Sequence, residues 1–195
     1  MATGLTPDRH GVLDFVESDD KGRAVPVTSR SRRVPAFWEI LGNRGIPCGI
    51  VGWLATYPAT RMNGFLVSDR FTIHPFQEGE GAATNDPAGK TWPPELGAAL
   101  RAQVVDPASL TGADLAAAFG IDGVDASAPS ATEAAGLHPL ERSRERRELA
   151  VIEAVARTYT AVALRLVAER RPALLAVYYE AIDRLMHGFG AAMSP

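Results

Sequence analysis

The chain has 195 residues, 46% of them hydrophobic and 22% charged, which is ordinary for one globular domain with a sizeable core. Its 20 basic and 23 acidic residues give a formal net charge of -3, so its charge provides no reason to expect a nucleic-acid polymer or an anionic membrane as a partner. Cys48 is the only cysteine, which excludes an internal disulfide and a cysteine-based zinc cluster.

In the first half of the chain, one helix and two strands are predicted. Residues 34–44 place apolar side chains at helical spacing and are followed by a glycine, which predicts a helix that ends there. The short apolar runs 48–53 and 65–68 predict buried strands. Residues 74–94 are rich in Gly, Pro, Asn and Glu, and we expect a long surface loop.

The second half of the chain has mainly helical patterns. Residues 94–104 and 111–120 predict two modest helices, the second with Thr111 as its N-cap, and the small polar residues over 121–136 predict an exposed connection. Residues 140–171 predict a long helix with one buried stripe. The stripe consists of Leu149, Ile152, Val155, Tyr159, Val162 and Leu166.

A last strand is predicted at residues 173–179, which are nearly all apolar, as expected of a strand covered on both faces of a parallel sheet. The order helix then buried strand occurs twice in the chain and predicts an α/β fold. No apolar run approaches the roughly 20 residues that a membrane-spanning helix needs. We therefore expect no membrane span. Residues 1–14 lack the features of a signal peptide, which leaves the localisation unknown, with the cytoplasm as the default.

Asp183 and His187 follow this last strand, and the ligand sites of open α/β sheets generally lie beyond the carboxyl ends of strands. If the segment is helical, the four-residue spacing places the carboxylate and the imidazole on one face, where both could bind one divalent cation. The alternative is a histidine that caps the helix end beside a surface aspartate. Spacing alone leaves both interpretations open.

Four stretches of sequence carry a resemblance to a known family. They are TGLTPDRHG at 3–11, GIVGWLATYP at 49–58, NGFLVSDRF at 63–71 and AVYYEAIDRLMHGFG at 176–190. In this order they resemble the type I phosphodiesterase and nucleotide pyrophosphatase family of the alkaline phosphatase superfamily. The resemblance implies a metal-dependent phosphoric ester hydrolase that acts by in-line phosphoryl transfer on a small phosphorylated substrate.

The resemblance also implies a fold and a cofactor. The fold would be part of an alkaline-phosphatase-like three-layer α/β core with a mostly parallel sheet, formed by residues of about 1–73 and 140–195. An inserted loop and helical cap would occupy about 74–139. Asp183 and His187 would bind one of two divalent metal ions, most naturally zinc.

Other functional parts of the family have no counterpart in this sequence. The family's nucleophile lies before the position that matches Thr3, and its remaining metal ligands lie outside the matched segments. The resemblance therefore assigns no catalytic residue to this chain, and we expect the chain to be incomplete and inactive alone. It leaves open an alternative enzyme, namely a sulfatase, phosphonate hydrolase or phosphomutase relative. The alternative from another class is a non-catalytic truncated product or a binding module.

Several further residues have both a functional and a structural interpretation. His10 matches a structural histidine of the family, and Phe15 stands where nucleotide pyrophosphatases commonly have a phosphate-binding asparagine, so the resemblance does not fix nucleotide specificity. Asp69 and Arg70 are interpreted as a surface ion pair rather than as the border of a substrate cleft. Trp53, like Tyr57, is explained equally well by packing and by substrate contact.

Overall fold

The computed structural model describes residues 2–72, 89–120 and 139–189. The predicted connection over 121–136 lies outside these residues, and so does most of the predicted loop over 74–94. The described end of that loop contradicts the prediction, because Thr91–Trp92 forms a strand of the sheet and Thr91 is only 1% exposed. The predicted division into core segments and an inserted cap over 74–139 therefore stays a prediction. Within the described part of the chain, no helix is both long and apolar enough to cross a membrane.

The chain divides into two compact units, and α5 contributes to both. The first unit comprises Met1–Gln103 and Tyr159–Tyr179, and the second comprises Val104–Thr158 and Glu180–Pro195. The elements, in chain order, are α1 Pro7–His10, β1 Val16–Ser18, β2 Ala24–Pro26, α2 Phe37–Asn43, β3 Cys48–Val51, β4 Gly64–Val67, β5 Thr91–Trp92, α3 Leu96–Ala99, α4 Gly112–Phe119, α5 Pro139–Arg170, β6 Leu174–Val177 and α6 Ala181–Phe189.

The larger sheet belongs to the first unit and has the strand order β5-β4-β3-β6. Strand β3 pairs in parallel with β4 and with β6, whereas β5 is antiparallel to β4. A separate hairpin pairs β1 with β2. This mixture of helices with a mostly parallel sheet confirms the α/β class that the sequence predicts.

Alternate residues of β3 and β4 face opposite sides of the sheet. Cys48, Ile50 and Leu66 form one cluster with Trp38 of α2, and all of these side chains are buried. Helix α2 begins where the Glu39 carboxylate accepts the backbone N–H of Ala36 at 2.7 Å. The predicted helix and the first two predicted strands are therefore confirmed, and the sheet has an apolar core on the side of α2.

The predicted burial of the last strand is wrong. Strand β6 forms where the apolar run predicts it, but its residues are only half-buried, and Leu175 is 36% exposed. Among the described strands, β6 pairs only with β3 and so lies at the edge of the sheet. An edge strand has a neighbour on one side only, which explains why its side chains are less covered.

The long helix is confirmed with its buried stripe. Leu149, Ile152, Tyr159, Val162 and Leu166 of α5 are all 7% exposed or less. The sixth predicted member of the stripe, Val155, is half-buried. The 3.6-residue period of the apolar side chains therefore identified the covered face of α5 correctly.

The two modest helices have different outcomes. Thr111 caps α4 as predicted, because its hydroxyl accepts the Asp114 N–H at 3.2 Å while the Asp114 carboxylate accepts the Thr111 N–H at 2.9 Å. The helix predicted over 94–104 is instead a single α-helical turn followed by a 3-10 turn. The chain tightens there because the Gln103 N–H donates to the Leu100 carbonyl, three residues earlier.

Candidate metal-binding site

Helix α6 brings the two predicted metal ligands together. The segment is helical from Ala181, so Asp183 and His187 lie one turn apart on the same face. The His187 Nε2 atom lies 3.5 Å from the Asp183 Oδ1 atom. The His187 side chain is 83% exposed and the Asp183 side chain is 59% exposed, so both are open to solvent.

The separation of the two donor atoms fits a shared zinc ion. Zinc binds imidazole nitrogen and carboxylate oxygen at about 2.0 to 2.2 Å, which places two tetrahedral ligands about 3.4 Å apart. The observed 3.5 Å between His187 Nε2 and Asp183 Oδ1 is close to that value. One imidazole nitrogen and one carboxylate oxygen are also a donor set that zinc accepts.

The described residues provide no complete metal site. Among residues 2–72, 89–120 and 139–189, no group of three or more His, Cys, Asp or Glu side chains could hold a metal ion. A catalytic zinc usually has three protein ligands and a water. Asp183 and His187 would therefore need at least one further ligand from residues outside the described ones.

The opposite side of α6 anchors this helix within the second unit. Leu185 packs against the apolar cluster that includes Leu115 of α4 and Leu149 of α5. Leu185 lies about 160° around the helix from Asp183 and His187. Packing of Leu185 thus leaves the carboxylate and the imidazole facing away from the cluster.

Two exposed apolar side chains on α6 were not identified from the sequence. Ile182 is 73% exposed and Met186 is 58% exposed. They are the residues that immediately precede Asp183 and His187 on the helix. The sequence did contain a signal for them, because Ile182 and Met186 are four residues apart, as Asp183 and His187 are.

The predicted surface ion pair of Asp69 and Arg70 is wrong, because both residues are buried. Asp69 is 8% exposed, and its carboxylate accepts the backbone N–H groups of Ala55 at 3.0 Å, Thr56 at 3.4 Å and Tyr57 at 3.0 Å. Burial raises the pKa of Asp69 above its ordinary value of 3.8, while the nearby Arg70 charge and these N–H donors oppose the rise.

Arg70 fixes a different segment of the first unit. It is 7% exposed, its guanidinium lies 4.9 Å from the centre of the Tyr57 ring, and one of its nitrogens donates to the Val27 carbonyl at 3.2 Å. The Asp69 carboxylate thus holds the segment after β3, and the Arg70 guanidinium holds the segment after β2. These contacts give both residues structural roles.

The contacts of Trp53 and Tyr57 support packing rather than substrate contact. The Trp53 ring lies 5.6 Å from Phe37, 5.8 Å from Trp38 and 6.0 Å from Tyr178, measured between ring centres. Tyr57 is 5% exposed. The aromatic side chains therefore form part of the core of the first unit.

The N-terminal segment shows a structural role for His10. The His10 Nδ1 atom accepts the Val12 N–H at 3.2 Å, and the His10 carbonyl accepts the Arg33 N–H at 3.0 Å. Phe15, in the following segment, is 53% exposed. The local hydrogen bonds of His10 thus agree with its structural interpretation.

Comparison with known proteins identified a family to which the sequence is similar. A family model described as Type I phosphodiesterase / nucleotide pyrophosphatase matches residues 1–195. Neither a curated protein nor a solved structure matches the chain significantly. The family match covers every residue of the sequence, including the α6 segment that contains Asp183 and His187.

Proposed function

The chain belongs to the type I phosphodiesterase / nucleotide pyrophosphatase family, and we propose that it contributes ligands to a two-metal site for hydrolysis of phosphoric esters. Asp183 and His187 hold one of the two divalent cations in this proposal, and zinc suits their donor atoms. The observation that supports it most is the 3.5 Å separation of the two donor atoms on the solvent-facing side of α6.

Binding of a cation requires one particular protonation state of each side chain. The Asp183 carboxyl must be ionised and the His187 imidazole must be neutral, because only the unprotonated atoms have an electron pair available for a metal ion. Helix α6 contributes the orientation, because its backbone fixes the two side chains one turn apart before a cation binds. When bound, a pair of cations supplies charge that polarises the phosphoryl group and neutralises the leaving oxygen.

The remaining catalytic parts are proposed to come from residues outside the described ones. Two ligands are fewer than a catalytic zinc usually has, and the family resemblance assigns no nucleophile to this sequence. We therefore expect the 195-residue chain to bind a cation weakly and not to hydrolyse esters alone.

The proposed substrate is a small phosphoric ester, and the proposal assigns no specificity for nucleotides. Phe15 stands at the position where the family commonly has a phosphate-binding asparagine, and its ring is 53% exposed. A phenyl ring has no hydrogen-bond donor for a phosphate oxygen. The proposal consequently extends to phosphodiesters and phosphomonoesters, and it does not single out nucleotides.

The proposed function can be tested by reading the coding DNA in frame on both sides of the chain. We expect a threonine or serine nucleophile upstream and an Asp-His-Gly ligand segment downstream. The polypeptide that the frame encodes should hydrolyse a nitrophenyl phosphodiester when zinc is added.

Asp183→Asn in that polypeptide should lower the zinc-dependent rate by at least the roughly 10- to 100-fold that follows loss of an outer-shell partner. The matched control is Glu169→Gln, which removes an exposed carboxylate of another four-residue pair, on α5. Zinc-dependent hydrolysis that survives Asp183→Asn unchanged would exclude Asp183 from the site.

A further inference from the structure

The entry to β4 contains an asparagine followed by a glycine, and both residues are exposed. The Asn63 carbonyl accepts the Cys48 N–H at 2.9 Å, which fixes the backbone between the two strands. Within the described stretches no hydrogen bond holds the Asn63 side-chain amide, and because the residue is exposed, its amide carbon can be approached by a neighbouring nucleophile.

Only glycine fits at position 64. Its φ is +117°, and a Cβ atom there would lie 2.0 Å from the Cys48 carbonyl oxygen. The glycine that this backbone requires also leaves the residue-64 nitrogen without a side chain beside it. A bulkier residue would hinder any approach of that nitrogen to the Asn63 side chain.

The Gly64 nitrogen is directed away from β3. In a parallel pair, alternate residues of a strand make the bonds to a given neighbour. Cys48, which lies opposite Gly64 in the register, donates to the Asn63 carbonyl, so the Gly64 N–H is not used in the β3 ladder. The described pairing of β4 with β5 involves only Leu66 and Val67 of β4.

We propose that Asn63 is a site of spontaneous deamidation in the folded protein. The Gly64 backbone nitrogen attacks the Asn63 side-chain amide carbon, a carbon–nitrogen bond forms and closes a five-membered imide, and the side-chain nitrogen leaves as ammonia. Water then opens the imide at one of its two carbonyls. The products are aspartate and isoaspartate, and water is the only co-reactant.

The isoaspartate product alters the sheet locally. It moves the side-chain methylene of residue 63 into the main chain, so the chain between residue 63 and Gly64 becomes longer by one atom. The Cys48 N–H can then no longer meet the residue-63 carbonyl while Cys48 stays opposite Gly64. Because β4 lies between β3 and β5, the change affects the interior of the sheet.

The proposal is tested by ageing the native chain in mildly alkaline buffer and digesting it with trypsin for mass spectrometry. Cleavage after arginine gives one peptide of residues 62–70 and another of residues 34–44, which contains Asn43 as an internal control. The 62–70 peptide should lose its unmodified form and gain the mass of an amide-to-acid conversion in two chromatographic forms. The Asn43 peptide should stay unmodified, because that residue ends α2 and precedes an arginine.

Two controls make the result decisive. Asn63→Gln should abolish the conversion, because the longer side chain cannot close the five-membered ring. Ageing the urea-unfolded chain in parallel shows what the fold contributes. If the unfolded chain converts and the native chain does not, or if Asn63 and Asn43 convert at the same rate in the native chain, the proposal is overturned.

Discussion

Asp69→Ala is expected to be strongly destabilising, since the Asp69 carboxylate is the common acceptor for a whole loop. Three successive backbone N–H groups, those of Ala55, Thr56 and Tyr57, donate to it, and the Thr56 hydroxyl lies 3.3 Å from the same carboxylate. Ala55 has a left-handed φ of 55°, which L-residues adopt at a cost, so the loop depends on this anchor.

The size of the effect follows from these contacts. Each buried donor left without an acceptor costs about 1 to 3 kcal/mol, and water entering the space left by the side chain recovers part of that. For the three N–H donors together, and after that recovery, we expect Asp69→Ala to lower the free energy of unfolding by about 3 to 5 kcal/mol. Asp69→Asn retains one acceptor oxygen but places an amide NH₂ against another donor. We expect this variant to lower the free energy of unfolding by about 1 to 3 kcal/mol.

Urea unfolding followed by tryptophan fluorescence measures both variants against wild type. The control is Asp20→Ala, an exposed aspartate, for which we expect a change of less than about 0.5 kcal/mol. An Asp69→Ala variant as stable as the control would refute the anchoring role of the carboxylate.

The other stability predictions concern α5, α4 and β4. Leu166 is 0% exposed, and Leu166→Ala should lower the free energy of unfolding in urea by about 2 to 5 kcal/mol. Leu164, on the same helix, is 64% exposed, and Leu164→Ala should lower it by less than about 0.5 kcal/mol. Equal losses would contradict the buried face assigned to α5. Hydrogen bonds from Thr111 and Arg157 lower the pKa of Asp114 from 3.8 to about 2, so its stabilisation is complete above 3.8 and is lost as the pH falls toward 2. The difference in urea midpoint between wild type and Asp114→Asn should therefore shrink over that range, and a constant difference would contradict the assignment. Gly64→Ala should prevent folding, read as loss of the cooperative urea transition, because its Cβ meets the backbone of β3.

Local patterns in the sequence were sufficient for α2, β3, β4, α4, α5 and the position of β6, but they did not predict α1, the β1–β2 hairpin or β5. The buried face of α5 and the capping of α4 follow from spacing within one or two helical turns, as does the juxtaposition of Asp183 with His187. An α-helix converts such spacing directly into geometry. Helical spacing identifies only ligands within a turn or two of each other, and the described residues contain no third ligand for the proposed metal site.

Burial that depends on distant segments was not predictable. The Asp69 carboxylate accepts hydrogen bonds from N–H groups 12 to 14 residues earlier in the chain, and no local sequence pattern predicts that contact. The half-buried state of β6 depends on which strands lie beside it, and the apolar composition of Leu174–Val177 does not determine that order. Both errors arise from tertiary arrangement rather than from the periodicity of the side chains.

The central claim is that Asp183 and His187 bind one cation together, and zinc titration by calorimetry tests it most directly. Wild type should bind Zn²⁺ at least about tenfold more tightly than Asp183→Asn or His187→Gln, since each variant removes a ligand. His10→Gln is the matched control, because the His10 imidazole already accepts the Val12 N–H. This variant should bind Zn²⁺ with the same affinity as wild type. If all four proteins bind zinc equally, the proposed ligand pair is contradicted.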